Sequence, residues 1–309
     1  MKAIAEAPSK VIITGEHFVV HGAWGLAAAI PRTITVEVEE HQSFAVRSDA
    51  YRGSRHPALR PLGEVVEAMA REYSFSPKVR VFVRANVRGG AGLGSSASTM
   101  VALASALSRM HSLGLGVEEI LRHSMVGEAG VHGRPSGIDP TVCALGGVIL
   151  FRPGSAPRRI GLGRTHSLLV SFSGKTRGTR GQINRVAEVK ERYPGLFSGL
   201  VESVSAVSEM AADRLARSDM KGLGELLNFN HAVLSNLGVS NGSLDRLVDA
   251  SLSLGSYGAK LTGAGGGGSV ISVAPEGKQK SITSGLNARG YETFRAEIPV
   301  RGVRSWLES

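Results

Sequence analysis

Cysteine is almost missing from this chain: Cys143 is the single one among 309 residues. That excludes an intrachain disulfide and a cysteine-based metal site. Its setting, Thr141-Val142-Cys143-Ala144-Leu145, reads as core, so the thiol is expected to be buried and not to serve as a nucleophile. Long apolar runs are missing too. No stretch reaches the ~18 residues of a membrane helix, and the opening Met1-Lys2-Ala3-Ile4-Ala5-Glu6 lacks a signal-peptide core. A cytoplasmic protein without a membrane partner is the expectation. Charge balance is one-sided, +10 from 36 Lys and Arg against 26 Asp and Glu. Yet no block of five or more basic residues occurs, so the excess reads as a scattered, solvated surface with no nucleic-acid partner. It suits the steering of an anionic ligand such as a nucleotide. Repeats and low-complexity segments are absent, and 42% hydrophobic residues can bury a sizeable core.

What is there is a glycine-rich run, Gly89-Gly90-Ala91-Gly92-Leu93-Gly94-Ser95-Ser96-Ala97-Ser98, directly before helix formers from Thr99 to Leu107. Glycine lets the backbone approach a ligand closely. The helix that follows starts with unpaired N–H groups and a partial positive charge, which together make an anion site, most often for phosphate. The run is not a Walker A loop, because no Gly-Lys-Ser/Thr closes it. It is not a dinucleotide fingerprint, because Ser95 stands where the third glycine belongs. The bland alternative is a glycine-rich turn with a serine N-cap.

Around this run the pattern alternates strand and helix. Lys10 to Thr14, Thr33 to Val38 and Lys78 to Arg84 read as strands, the last two with a period of two. Pro61 to Arg71 has helical spacing, and Ser96 to Met110, small or apolar nearly all round, predicts a buried helix. Val117 to Val131 is a further helix, Pro135 to Pro140 a turn-rich segment, and Gly146 to Phe151 a strand. The loop Arg152 to Arg164 is the best domain boundary. Beyond it come a strand Leu168 to Phe172, helices at about Gly181 to Arg192, Leu196 to Arg217, Lys221 to Asn236 and Ser243 to Leu254, and strands Ser269 to Val273 and Tyr291 to Ala296 flanking a helix Lys278 to Arg289.

Two further segments carry a resemblance. Ala7-Pro8-Ser9-Lys10-Val11-Ile12-Ile13-Thr14-Gly15-Glu16-His17-Phe18-Val19-Val20-His21-Gly22 stands near the start, and Lys260-Leu261-Thr262-Gly263-Ala264-Gly265-Gly266-Gly267-Gly268-Ser269 near the end. With the glycine run between them, the three resemble the signature motifs of the GHMP small-molecule kinases over the whole chain. Gly15-Glu16-His17 continued by Val19-Val20-His21-Gly22 resembles the mevalonate kinase family, whereas galactokinases usually continue with Thr-Asp-Tyr. The resemblance implies a two-domain α+β fold. Residues 1–160 would form a ribosomal-protein domain-2-like unit and residues 161–309 a ferredoxin-like unit, with the active site in the cleft between them. It implies ATP and mevalonate as substrates, Mg2+ as cofactor and a homodimer. The alternatives are another GHMP kinase, for phosphomevalonate or a sugar, and a non-catalytic ligand-binding relative.

The resemblance also implies roles. Asp139, in Ser136-Gly137-Ile138-Asp139, is the catalytic base and Lys10 its cationic neighbour; a plain aspartate in a turn before Pro140 is the alternative. Gly90, Ala91, Gly92, Leu93, Gly94, Ser95, Ser96 and Ala97 hold the nucleotide. Ser96 and Glu128, the latter 11 residues before Asp139, are the magnesium ligands. Glu16, His17 and Thr179 line the substrate end, with Glu16 orienting Lys10 or His17. The third motif, Gly263 to Gly268, supports the phosphate loop from the other domain. Four positions depart from the family pattern. Ser9 replaces the glycine before the lysine, Arg88 stands where proline is common, Gly178 replaces an asparagine, and His21 stands where tyrosine is frequent.

Overall fold

The computed structural model describes residues 2–49, 59–86, 89–132, 135–175 and 179–308. Strand β1 (Lys2–Thr14) passes through a short 3-10 turn, Val19–His21, into β2 (Gly25–Glu40), and the two pair antiparallel from Lys2 to Thr14. Then follow β3 (Ala45–Ser48), α1 (Arg60–Tyr73), β4 (Val79–Ala85), α2 (Ser95–Met110), α3 (Val117–His132), α4 (Ile138–Leu145), β5 (Val148–Phe151) and β6 (Arg158–Arg159). The second half contains β7 (His166–Phe172), α5 (Thr179–Arg192), α6 (Pro194–Ala216), α7 (Met220–Asn236), α8 (Gly242–Ser253), β8 (Gly258–Thr262), β9 (Ser269–Val273), α9 (Gln279–Ala288), β10 (Thr293–Ile298) and β11 (Arg304–Glu308).

Two sheets result among the described residues. The first runs β11-β1-β2-β4-β3, with β5 added on β2 and β6 on β5; the second runs β10-β7-β9-β8 and is antiparallel throughout. The architecture is therefore α+β in both halves. β11 was not foreseen: the chain returns from the second half and pairs with β1, Lys2 opposite Glu308, so sheet membership crosses the expected division near residue 160.

The alternation of Val36 and Val38 with Thr35 and Glu37 puts the valines into the core between the first sheet and α1, α2 and α3, where Val65, Met69, Val101 and Leu107 meet them. Each such side chain contributes about 1.5–3 kcal/mol when fully buried. Helix α2 lies in the middle of this layer. From Ala97 to Met110 all of it is buried except Thr99 and Arg109, as its apolar circumference predicts. A second core lies between the halves. Val11, Ile13 and Leu26 of the first sheet meet Leu168, Val170 and Ile271 of the second, and Ala91 and Leu93 of the glycine run are plugged into it. The glycine run is thus clamped by both halves. Among the described residues no helix is long and apolar enough to cross a membrane.

Candidate active site

The glycine run ends where α2 begins, and the N-cap is Gly94, at φ +76°. The serine N-cap alternative is therefore overturned: Ser95 and Ser96 are the first two residues inside the helix, and the cap has no side chain to cover the first turn. Such an end keeps backbone donors and the positive helix terminus for an anion. Gly94 is also required for space. A Cβ there would meet the Lys10 side chain, 2.7 Å from Cε, besides forcing an L-residue into the left-handed region. The loop is fixed to β1 by the Lys10 N–H donating to the Leu93 carbonyl (3.0 Å). Behind it, the Ser98 hydroxyl lies 2.9 Å from the Pro8 carbonyl and 3.0 Å from the Gly94 carbonyl.

Lys10 crosses beneath this loop with its side chain sealed from solvent and its ammonium 2.9 Å from Asp139 Oδ2. Asp139 does not sit in a turn before Pro140, and that alternative is corrected. It lies in the first turn of α4, which is capped by Gly137 at φ +90°, and Pro140 is tolerated there because a first-turn residue needs no intrahelical N–H bond. A carboxylate at that end is favoured by the helix dipole. Beside it, Ser96 Oγ donates to Glu128 Oε1 (2.6 Å), with Glu128 buried on α3. A hydroxyl and a carboxylate side by side are the ligand types that a hard divalent cation takes together with phosphate oxygens and water. Among the described residues no cluster of three or more His, Cys, Asp or Glu forms an all-protein metal cage.

Lys10, Glu16, His17, Glu128, Asp139 and Ala264 all line one cavity of about 180 Å³. The substrate-end residues are held by the second half of the chain. Glu16 forms a fully buried ion pair, and its partner is neither Lys10 nor His17 but Lys260 on β8. Burial pushes the Glu16 carboxyl up while Lys260 opposes it; burial likewise pushes the Lys260 ammonium down while Glu16 opposes it. His17, at φ +65°, uses Nε2 to donate to the Ala264 carbonyl (2.9 Å). His21 stands outside this cavity, its Nδ1 accepting from Lys190 Nζ (3.4 Å) and its ring edge-on to Phe197.

The third motif lies against the glycine run. Ser269 Oγ donates to the Ala91 carbonyl (2.8 Å), and Gly268 at φ +87° comes so close that a Cβ would sit 3.0 Å from the same oxygen. Thr262 closes the seam with β1, accepting from the Ile12 N–H and donating to the Ile12 carbonyl.

Lys10, Glu16, His17, Glu128 and Asp139 thus share one cavity, Ser96 is joined to it through Glu128, and Lys10 lies against the end of the run Gly90, Ala91, Gly92, Leu93 and Gly94, with Ser95 and Ala97 in the first turn of α2. Thr179 opens α5, but its side chain lies outside the described residues, as do Arg88 and Gly178. Lys260 was missed as a site residue. Only the fold shows that its strand is buried, and a lysine there needs a carboxylate partner. Cys143 is buried as expected, its thiol pushed up to about 12 by burial.

Comparison with known proteins adds to this geometry. The models for the GHMP kinases N terminal domain and the GHMP kinases C terminal domain match residues 60–147 and 211–292. Mevalonate kinase of Aeropyrum pernix is 35% identical over 318 residues, covering 98% of this chain and 98% of that protein. Mevalonate kinase of Methanothermobacter thermautotrophicus is 34% identical and covers 98% of this chain and 100% of its own. Among solved structures, L. major mevalonate kinase in complex with R-mevalonate superposes with a TM-score of 0.82 at 28% identity, over 96% of either chain.

Proposed function

Because the chain belongs to the GHMP kinases and, within them, to the mevalonate kinase family, we propose that it transfers the γ-phosphoryl group of ATP to the 5-hydroxyl of (R)-mevalonate, giving 5-phosphomevalonate and ADP. It is an ATP-dependent small-molecule kinase. The observation that carries the chemical reading is the Lys10–Asp139 pair, 2.9 Å apart and facing a cavity beside the uncapped start of α2.

The reaction forms a bond between the substrate hydroxyl oxygen and the γ-phosphorus and breaks the bond from that phosphorus to the bridging oxygen, whose electron pair leaves with ADP. In this reading Asp139 takes the hydroxyl proton as the new bond forms. Lys10 keeps positive charge beside the attacking oxygen and beside the developing carboxylic acid, and it holds Asp139 in place. Residues Gly90 to Ala97 bind the phosphates through backbone donors. Ser96 and Glu128 would hold Mg2+; when bound with ATP, the ion neutralises charge on the transferring group. Glu16, His17 and Thr179 form the substrate end, and the third motif keeps the phosphate loop in register from the other side. A division near residue 160, a homodimer and a cytoplasmic setting belong to the same reading.

The test is ADP release with MgATP and, in turn, mevalonate, phosphomevalonate, homoserine and galactose. Release with mevalonate alone, and phosphate found on the primary hydroxyl by 31P NMR, is the expected result. Release with another acceptor only would leave a GHMP kinase of different substrate.

A further inference from the structure

Among the described residues, two of the three largest side chains fully sealed from solvent are lysines, Lys10 and Lys260. A sealed lysine needs a function or a partner to offset its lost hydration. The reaction uses Lys10. It does not use Lys260, whose ammonium is turned to Glu16 Oε1 and to the Leu261 carbonyl (2.6 Å). We propose that Lys260 is a positioning residue for the acceptor substrate: from the second half of the chain it fixes Glu16 so that the other carboxylate oxygen, Oε2, accepts a hydrogen bond from a hydroxyl of the bound alcohol.

Four observations carry this. Glu16 lines the same cavity as Lys10 and Asp139. Its Oε2 is buried and has no hydrogen-bond partner among the described residues. A buried carboxylate oxygen left in that state is costly, and a hydroxyl donor from a ligand removes the cost. Lys260 itself cannot drift. Its strand is stitched to β1 by both bonds of Thr262 to Ile12, and its ammonium is tied to its own neighbour's carbonyl. Finally, the turn that carries Glu16 and His17 is backbone-strained, with His17 at φ +65°, and is held from the second half at two points, Lys260 and the Ala264 carbonyl. The acceptor end of the cavity is therefore shaped by the third motif, while the phosphoryl-transfer end is built on β1, α2, α3 and α4. The inference rests on the kinase reading above but not on which alcohol is the acceptor.

The experiment compares the full-length protein with Lys260→Met, Glu16→Gln and the double variant. It measures kcat, the KM for the acceptor, the KM for ATP and the thermal midpoint, using whichever alcohol of the panel supports wild-type turnover. A wrong substrate identity then overturns the functional reading and leaves this test intact. Lys260→Met is expected to raise the acceptor KM about 10- to 100-fold, the scale of a lost hydrogen bond to a charged group, while the ATP KM stays within about twofold. The double variant buries no orphan charge. It should regain the thermal midpoint lost in Lys260→Met yet keep the raised acceptor KM. A parallel rise of the ATP KM overturns the proposal, because a merely structural pair would loosen both substrates. A normal acceptor KM in the double variant also overturns it. Should Lys260→Met fail to fold, Glu16→Gln decides: an unchanged acceptor KM sinks the idea and a selective rise supports it.

Discussion

The two sealed lysines of this protein, each paired with a carboxylate, sit in different surroundings. Lys10 and Asp139 both belong to the first half of the chain, and the Asp139 side chain is 29% exposed toward the cavity. Lys260 and Glu16 come from opposite halves, and the Glu16 side chain is only 2% exposed. The open carboxylate can meet a substrate proton and shed it to solvent afterwards. The closed one lines the same cavity but is nearly sealed, and breaking a buried ion pair costs far more than breaking one at a surface. Openness separates a group suited to proton transfer from a group suited to holding geometry.

The comparison breaks most directly at Asp139. Asp139→Asn is expected to lower turnover by about two to four orders of magnitude while ATP binding, followed by nucleotide fluorescence, survives. Near-normal turnover would remove the open pair from the chemistry. Stability sharpens the contrast next. Lys260→Met should cost about 3–5 kcal/mol in denaturant unfolding, because Glu16 is left buried and unpaired. Lys10→Met should cost about 1–3 kcal/mol, since Asp139 can reach water through the cavity. Equal losses would mean that openness makes no difference. A smaller effect is expected from Glu128→Ala, which removes the partner of Ser96 Oγ without touching either lysine. It should shift the magnesium titration of activity to higher concentration, and an unmoved titration would rule out the ligand role. The smallest effect concerns Cys143, whose buried Sγ lies 3.3 Å from Ser98 Oγ and whose thiol is pushed up to about 12. A raised thiol pKa keeps the thiolate scarce at pH 8, so thiol reagents should label Cys143 only after denaturant unfolds the chain. Rapid native labelling would mean that the packing between α4 and α2 is itself accessible.

Much of the first half was legible because its signals are local. Val36 and Val38 alternate with polar neighbours, α2 is small or apolar nearly all round, and a glycine run stands directly before that helix. Strands β8 and β11 were not legible. All of β8 is buried, so no alternation shows, and it carries a lysine in its centre. β11 is a mostly exposed edge whose place is set by pairing with β1, nearly the whole chain away. The start of α4 was hidden by Pro140, which reads as a turn residue until the helix is seen to begin two residues earlier. In the candidate site, Lys10, Ser96, Glu128 and Asp139 were named from motifs, and the fold places them next to one another. The partner of Glu16 could not be named in this way, because Lys260 stands 244 residues away and only the packing of the two halves joins them.

Single-turnover phosphoryl transfer, with MgATP and acceptor both saturating, in Asp139→Asn and Lys260→Met side by side tests whether the open pair does chemistry and the closed pair holds the acceptor. The rate in Asp139→Asn is expected to stay about two to four orders of magnitude low at any acceptor concentration, and the rate in Lys260→Met to return to within a few-fold of the wild type once acceptor saturates. Saturation that rescues Asp139→Asn and not Lys260→Met would contradict that assignment of roles.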